Sequence, residues 1–182
     1  MQTQTVEIVS DSKSLADKLL QIIDKLKKSP DTPANVEFGV HTELVEGFLT
    51  KAQIRQFTLD IDEPPQLGGT DKGPNPVELV LAALGTCQEI VYAAYAAVLG
   101  IPLDYVKITV KGHLDARGLF GIAPVPSGFS EIEYEVDIKS PAEPARIKEL
   151  ADTVNAHCPV LDTLQRPIDV KWSLRLNNKQ IK

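Results

Sequence analysis

GGTDKGPNPVELVLAALGTCQEI, residues 68–90, runs from a glycine- and proline-rich approach straight into an apolar stretch that carries a cysteine. Asn75 is a residue type that caps free helical N–H groups, and Pro76 stands where a first helical position loses nothing by lacking its own N–H. The pattern predicts a helix from Pro76 to about Leu99. Between Leu79 and Leu99 the only charged residue is Glu89, and Ala82, Ala83, Gly85, Ala93, Ala94, Ala96 and Ala97 spread over most faces, so the helix reads as buried nearly all round. A membrane span is the competing reading, but Gln88 and Glu89 at its centre would be costly in lipid and no basic residues flank it. A core helix this apolar in a short chain calls for more surroundings than its own chain supplies, which points to a dimer.

Working outward, the segment before this helix reads as strands. From Val36 to Leu44, Val36, Phe38 and Val40 alternate with Glu37 and His41, and in IRQFTLDID the residues Arg55, Phe57, Leu59 and Ile61 share one face. That register sets Arg55 on the apolar side, with Lys51 in the turn before it. Further upstream SLADKLLQIIDKLKK places Leu15, Leu19, Ile22, Ile23 and Leu26 at helical spacing, an amphipathic first helix ended by SPDTP. Residues 1–33 therefore form a helical extension, and residues 34–182 the main domain. Downstream, YVKITVKGHL and EIEYEVDIK alternate as two antiparallel-type strands around DARGLFGIAPVPSGF, a loop long enough to act as a lid or binding wall. A helix with Ile147, Leu150, Ala151 and Val154 on one face follows, Cys158 extends that stripe, and Pro159 ends it. IDVKWSLRL then reads as a closing strand. The order of strands and helices predicts an α+β fold.

The 182 residues, 43% hydrophobic, suffice for one sizeable core. A net charge of -6 with no long basic run argues against nucleic acid or an anionic membrane as partner and favours a small or neutral ligand. The opening MQTQTVEIVSDSKS lacks a basic and an apolar leader region, so a cytoplasmic location is expected. In a reducing compartment the two cysteines, Cys87 and Cys158, read as thiols or a redox pair rather than a structural bridge, although both also suit the buried positions that free cysteines fill. The spacing of cysteines and histidines matches no metal motif, and no bound cofactor is called for.

The wording GGTDKGPNPVEL before the first cysteine, DARGLFG between the strands and HCPV at the second cysteine resembles, over roughly Val36 to Leu176, the OsmC/Ohr family of osmotically inducible and organic hydroperoxide resistance proteins. The resemblance implies an OsmC-like α+β fold: antiparallel sheets with two long central helices, in an intertwined homodimer whose two-cysteine sites lie at the subunit interface. It also implies that Cys87 attacks the O–O bond of an organic hydroperoxide, that Cys158 resolves the sulfenic acid as a disulfide, and that an external dithiol, dihydrolipoyl or another thiol, restores the pair. The chain would then be a cysteine-based peroxidase in oxidative-stress defence. The alternative on the same dimeric scaffold is a binding protein without turnover, holding an apolar or thiol-reactive small molecule between the Tyr92 and Tyr95 region and the 115–129 loop.

A thiolate at Cys87 needs a positive neighbour, because apolar burial raises a thiol's pKa and Cys87 lies too deep in its helix to feel the N-terminus. In the family an arginine held by a glutamate supplies that charge. Here no arginine precedes Arg55, and Val77 stands where the glutamate often follows the asparagine–proline pair. Arg55 is the candidate cation, ahead of Arg117 and Lys51, and Glu78 the candidate acid. Each has a structural reading too: Arg55 as a surface strand end, Glu78 as the third helical residue of a capping box with Asn75. His157 beside Cys158 suits a helix C-terminus as well as it suits thiol deprotonation, while His41 and His113 carry no signal. On one helix Glu78 and Cys87 face opposite ways, roughly 13 Å apart along the axis, so any joint action needs two subunits.

Overall fold

In the computed structural model the described residues are 12–182. The leader reading of the first residues lies outside them. The first helix, α1, spans Ser12–Lys27, with Leu15, Ala16, Leu19 and Ile23 on its half-buried side. The chain then builds an antiparallel meander of three strands, β1 His41–Glu46, β2 Leu49–Ile54 and β3 Phe57–Ile61, in the order β1-β2-β3.

Here the strand expectations need correction. Residues 36–40 are extended but pair with no strand, so pairing starts at His41. Arg55 is not on a strand face: it sits with Gln56 in the tight turn between β2 and β3, at φ 54, and the side-chain amide of Gln53 donates to its carbonyl at 2.6 Å. A two-residue hairpin turn demands positive φ, and this one takes it at an arginine, without the glycine or asparagine that marks such turns in a sequence. Lys51 lies inside β2, opposite Asp60, and not in a turn. A whole strand was thereby hidden in the stretch Leu49–Ile54.

The approach loop explains its own composition. Asp62, only 2% exposed, accepts hydrogen bonds from the N–H groups of Glu63 (2.8 Å), Thr70 (3.0 Å) and Lys72 (3.3 Å) and from the Thr70 hydroxyl (2.6 Å). Those bonds, the Thr70 hydroxyl foremost, hold its carboxyl below the usual carboxylate range. The loop is thus wound onto the end of β3 and delivers Asn75 to the start of α2, Pro76–Leu99. Gly100, at φ 62, ends that helix in the left-handed conformation that glycine adopts at least cost.

The long helix α2 packs against β4 (Tyr105–Leu114), α4 (Pro144–His157), α1 and α5 (Pro159–Gln165). The strands β4 and β5 (Phe129–Lys139) pair antiparallel, with Val106, Ile108 and Val110 opposite Ile138, Val136 and Tyr134 on the inner face and Lys107 and Lys111 opposite Asp137 and Glu133 on the outer. One core cluster gathers Tyr92, Ala96, Ile101, Leu150 and Val154; a second gathers Leu84, Cys158 and Leu161. The helix α2 is long and apolar enough to cross a membrane, and it is not buried all round as expected: Leu84, Gly85, Gln88, Tyr92 and Ala96 form one buried stripe along this core, while Val77, Val80 and Ile90 are exposed. A short helix α3, Ala116–Leu119, occupies the expected lid loop.

Two further expectations fail. The helix ended by Pro159 is followed by α5 rather than directly by a strand, because a proline that stops one helix is equally suited to the first position of the next. Among the described residues the expected closing strand forms no ladder from Ile168 to Ser173; β6 (Arg175–Leu176) and β7 (Lys179–Gln180) pair, and Leu174 extends that pairing by backbone bonds with Ile181 and Lys182. Val170 is 81% and Trp172 61% exposed, and Phe38 in the unpaired 36–40 segment is 91% exposed.

Candidate active site

The capping box forms as its residue types require: the Asn75 side-chain oxygen accepts from the N–H of Glu78 at 2.9 Å, and the Glu78 carboxylate accepts from the N–H of Asn75 at 2.8 Å. That fixes the start of α2 and the level at which Cys87 emerges. At the other side, Pro159 disfavours helical geometry at the residue before it, and Cys158 is extended at φ -75, ψ 113. Cys158 is at once the last cap of α4 and the first of α5, fully buried against Leu84 and Leu161. The two thiols are free, and their sulfurs are 3.4 Å apart. A disulfide needs about 2.05 Å, so a small approach would close the bond.

The surroundings of Cys87 push its thiol above the ordinary value: burial is the largest cause, the neighbouring Cys158 sulfur adds to it, and the N–H of Val160 directed at the sulfur partly offsets them. No cation of the described residues is among these influences. Of the three candidates, Lys51 pairs with Asp60 at 3.7 Å and Arg117 chelates Asp115, whose two carboxylate oxygens accept from its guanidinium at 2.5–3.0 Å. Arg55 lies over the ring of Phe57, 5.3 Å from its centroid, with no carboxylate partner among the described residues. The chain brings Cys87 and Cys158 together but brings neither Arg55 nor Glu78 to them. His157 turns back along its own helix, its Nδ1 2.8 Å from the carbonyl of Thr153.

Three groups at the site escaped the sequence reading. The Val160 N–H belongs to α5, whose signal was present in Pro159 followed by Val160, Leu161 and Leu164 at helical spacing. Tyr134 packs in the Cys158 cluster and donates its hydroxyl to the Asn155 side chain at 2.9 Å; burial first and Cys158 second push its phenol up. Gln88 is wholly buried beside Cys87. A cleft of about 300 Å³, bounded by Leu84, Phe129, Ile132, Tyr134, Leu161 and Leu164, shares walls with the thiol cluster.

The comparisons agree with this architecture. The description of OsmC-like proteins matches residues 69–173, more than half of the chain. A hydroperoxide reductase from Mycoplasma genitalium is 32% identical over 121 residues, covering 65% of this chain and 79% of that protein. One from Mycoplasma pneumoniae is 29% identical over 121 residues, covering 66% and 82%. Among solved structures, an OsmC-like protein from Mycoplasma pneumoniae superposes with a TM-score of 0.63 at 26% identity, over 72% of this chain and 89% of that one. An organic hydroperoxide resistance protein from Legionella pneumophila shares the fold at a TM-score of 0.56 and 22% identity, over 75% and 96%. With the glycine-rich approach, the long cysteine helix and the second cysteine all inside the matched region, the chain belongs to the OsmC-like protein family.

Proposed function

We propose that this chain is a cysteine-based peroxidase that reduces organic hydroperoxides. The observation that carries the reading is the 3.4 Å separation of two free sulfurs, one half-buried on α2 and one fully buried at the junction of α4 and α5. The Cys87 thiolate attacks a peroxide oxygen; an S–O bond forms, the O–O bond breaks, and its electron pair leaves on an alkoxide that takes a proton to become the alcohol. Cys158 then attacks the sulfenic sulfur; the S–S bond forms, the S–O bond breaks, and the departing hydroxide takes the Cys158 proton as water. An external dithiol returns two electrons to the disulfide. The cleft that shares Leu84, Ile132, Tyr134 and Leu161 with the thiol cluster offers an apolar wall to the organic part of such a peroxide, with Ser130, Glu131 and Gln165 as its polar side.

The missing cation is supplied, in this reading, by a second copy of the chain. The segments 36–40 and 168–173, which pair with no strand among the described residues, and the outward Val77, Val80 and Ile90 of α2 are the surfaces a homodimer would cover. Arg55 is then the guanidinium available to the partner's thiol, in the cytoplasm as elsewhere. Mixing reduced protein with cumene hydroperoxide is expected to consume two thiols per chain, faster than free cysteine reacts and faster as pH rises. Arg55→Ala should move the midpoint of that pH profile upward, to where burial and Cys158 alone hold Cys87. Equal midpoints would remove Arg55 from the site.

Glu78, held in its capping box, would act only on the partner's site. Cys87→Ser and Glu78→Ala proteins refolded together should then recover activity that neither has alone, since some mixed sites join an intact cysteine to an intact glutamate. Background activity in mixed dimers, with mixing verified by mass, leaves Glu78 a capping residue. One observation favours a binding protein instead: no cation of the described residues acts on the raised thiol at Cys87. Thiol loss no faster than that of free cysteine, with cumene hydroperoxide and with hydrogen peroxide alike, is the outcome that selects it.

A further inference from the structure

Gln88 is the one described side chain whose polar atoms are buried without any hydrogen-bond partner: its residue is 0% exposed, and both Nε2 and Oε1 are unpaired. A buried carboxamide left so carries the full desolvation penalty of its unpaired groups, and a methionine or leucine would fill the same space without that cost. Gln88 follows Cys87 in sequence, but neighbours on a helix diverge by about 100°, so it does not face the sulfur of Cys87. It belongs to the stripe Leu84, Gln88, Tyr92 that runs along the core. One turn before it, Leu84 packs with Cys158; one turn after it, Tyr92 packs with Val154 and Leu150. Gln88 therefore lies on the stripe between the two clusters, one turn after the Leu84 that packs with Cys158 and one turn before the Tyr92 that packs with Val154.

A neutral thiol is a weak donor and a weak acceptor, and it gives a carboxamide little to bond. A thiolate is different, because hydrogen bonds to ionised acceptors are roughly twice as strong as neutral ones. We propose that Gln88 is a positioning residue for the resolving thiol, its Nε2–H donating to the Cys158 sulfur as that thiol ionises, a bond kept unmade in the reduced protein and gained on the way to the disulfide. The inference rests on Cys158 being the thiol that attacks Cys87. In that step the Cys158 electron pair forms the S–S bond, the leaving group departs from Cys87 with the broken bond's pair, and Gln88 neither gains nor loses a proton.

An aromatic disulfide, dithionitrobenzoate, separates this claim from the peroxidase reading. Its first thionitrobenzoate is released when Cys87 attacks, its second when Cys158 attacks the mixed disulfide on Cys87. In Gln88→Met the first phase should stay within about twofold of wild type while the second slows about tenfold, the loss of one charge-assisted hydrogen bond. The pH midpoint of the second phase should move up, although its titratable neighbours Cys87 and Tyr134 are unchanged. Gln88→Leu, which also removes the donor and is apolar like its surroundings, should slow it to a similar degree. A merely structural role predicts neither the phase selectivity nor the pH shift. A second phase at wild-type rate and midpoint in both variants overturns the proposal. Should Gln88→Met not fold, unchanged second-phase kinetics in Gln88→Leu alone would do so. Normal dithionitrobenzoate phases with no peroxide reaction would overturn the peroxidase reading and leave the Gln88 assignment standing.

Discussion

Cys87→Ser is expected to lower hydroperoxide reduction by on the order of 10³-fold or more, because a serine hydroxyl stays protonated where a thiol ionises and is a far poorer nucleophile. Cys158→Ser should behave differently. Its Cys87 can still open one O–O bond, so a single turnover is expected, after which the sulfenic acid persists for want of an attacker and is captured by dimedone on Cys87. The contrast is what the geometry makes specific. Cys87 is the half-buried sulfur and Cys158 the fully buried one, so a peroxide meets Cys87 first while Cys158 waits 3.4 Å behind it. Stopped-flow thiol counting and mass spectrometry of the trapped adduct check both variants. Equal activity of the two variants and wild type would remove both cysteines from the chemistry, and a trapped adduct on Cys158 in Cys87→Ser would reverse their roles.

The parts of the molecule that a sequence states locally were legible in it. Asn75, Pro76 and Gly100 carry the boundaries of α2 in their own backbone preferences, and the alternation of Val106, Ile108 and Val110 against lysines needs only the β4–β5 pair to be realised. What failed depends on partners or on geometry that residue type does not advertise. Residues 36–40 and 168–173 have the alternating composition of strands, yet a strand exists only where a neighbour offers hydrogen bonds, and the described residues offer them no strand partner. Arg55 took the positive φ of a hairpin turn that its side chain gives no hint of. At the site, the cysteine pairing came from resemblance rather than from spacing, since the two residues are far apart in the chain. The orphaned carboxamide of Gln88 was beyond reach of the sequence altogether, because a glutamine on an apolar helix says nothing about whether a partner awaits it.

Gly73→Ala should be among the most damaging small substitutions in the chain, and the reason lies in the loop that opened the sequence analysis. A Cβ at Gly73 would fall 2.0 Å from the carbonyl oxygen of Asp60 and 2.6 Å from its carbon, and one at Gly69 would fall 1.8 Å from the carbonyl oxygen of Glu63. These are backbone atoms of the β3 end and cannot swing aside as a side chain tip would. Neither glycine is needed for positive φ; each is needed for close approach of two backbones. To admit the methyl, the loop must lift off β3, which breaks the bond from the Asp62 N–H to the Pro74 carbonyl (3.3 Å) and slackens the Thr70 and Lys72 bonds to the buried Asp62 carboxylate. The expected loss is on the order of 3 kcal/mol, a drop in melting temperature of roughly 10 °C for a chain of this size. Gly128→Ala is the control, because a Cβ there meets nothing within 4 Å, and its effect should stay within about 0.5 kcal/mol. Because the same loop delivers Asn75 to the capping box, the damage should extend to α2, and the Gly73→Ala protein should show faster amide exchange from Val77 to Leu79 than the control. Matching melting curves for the two variants would mean that the backbone contact at Asp60 is not what the motif's third glycine serves.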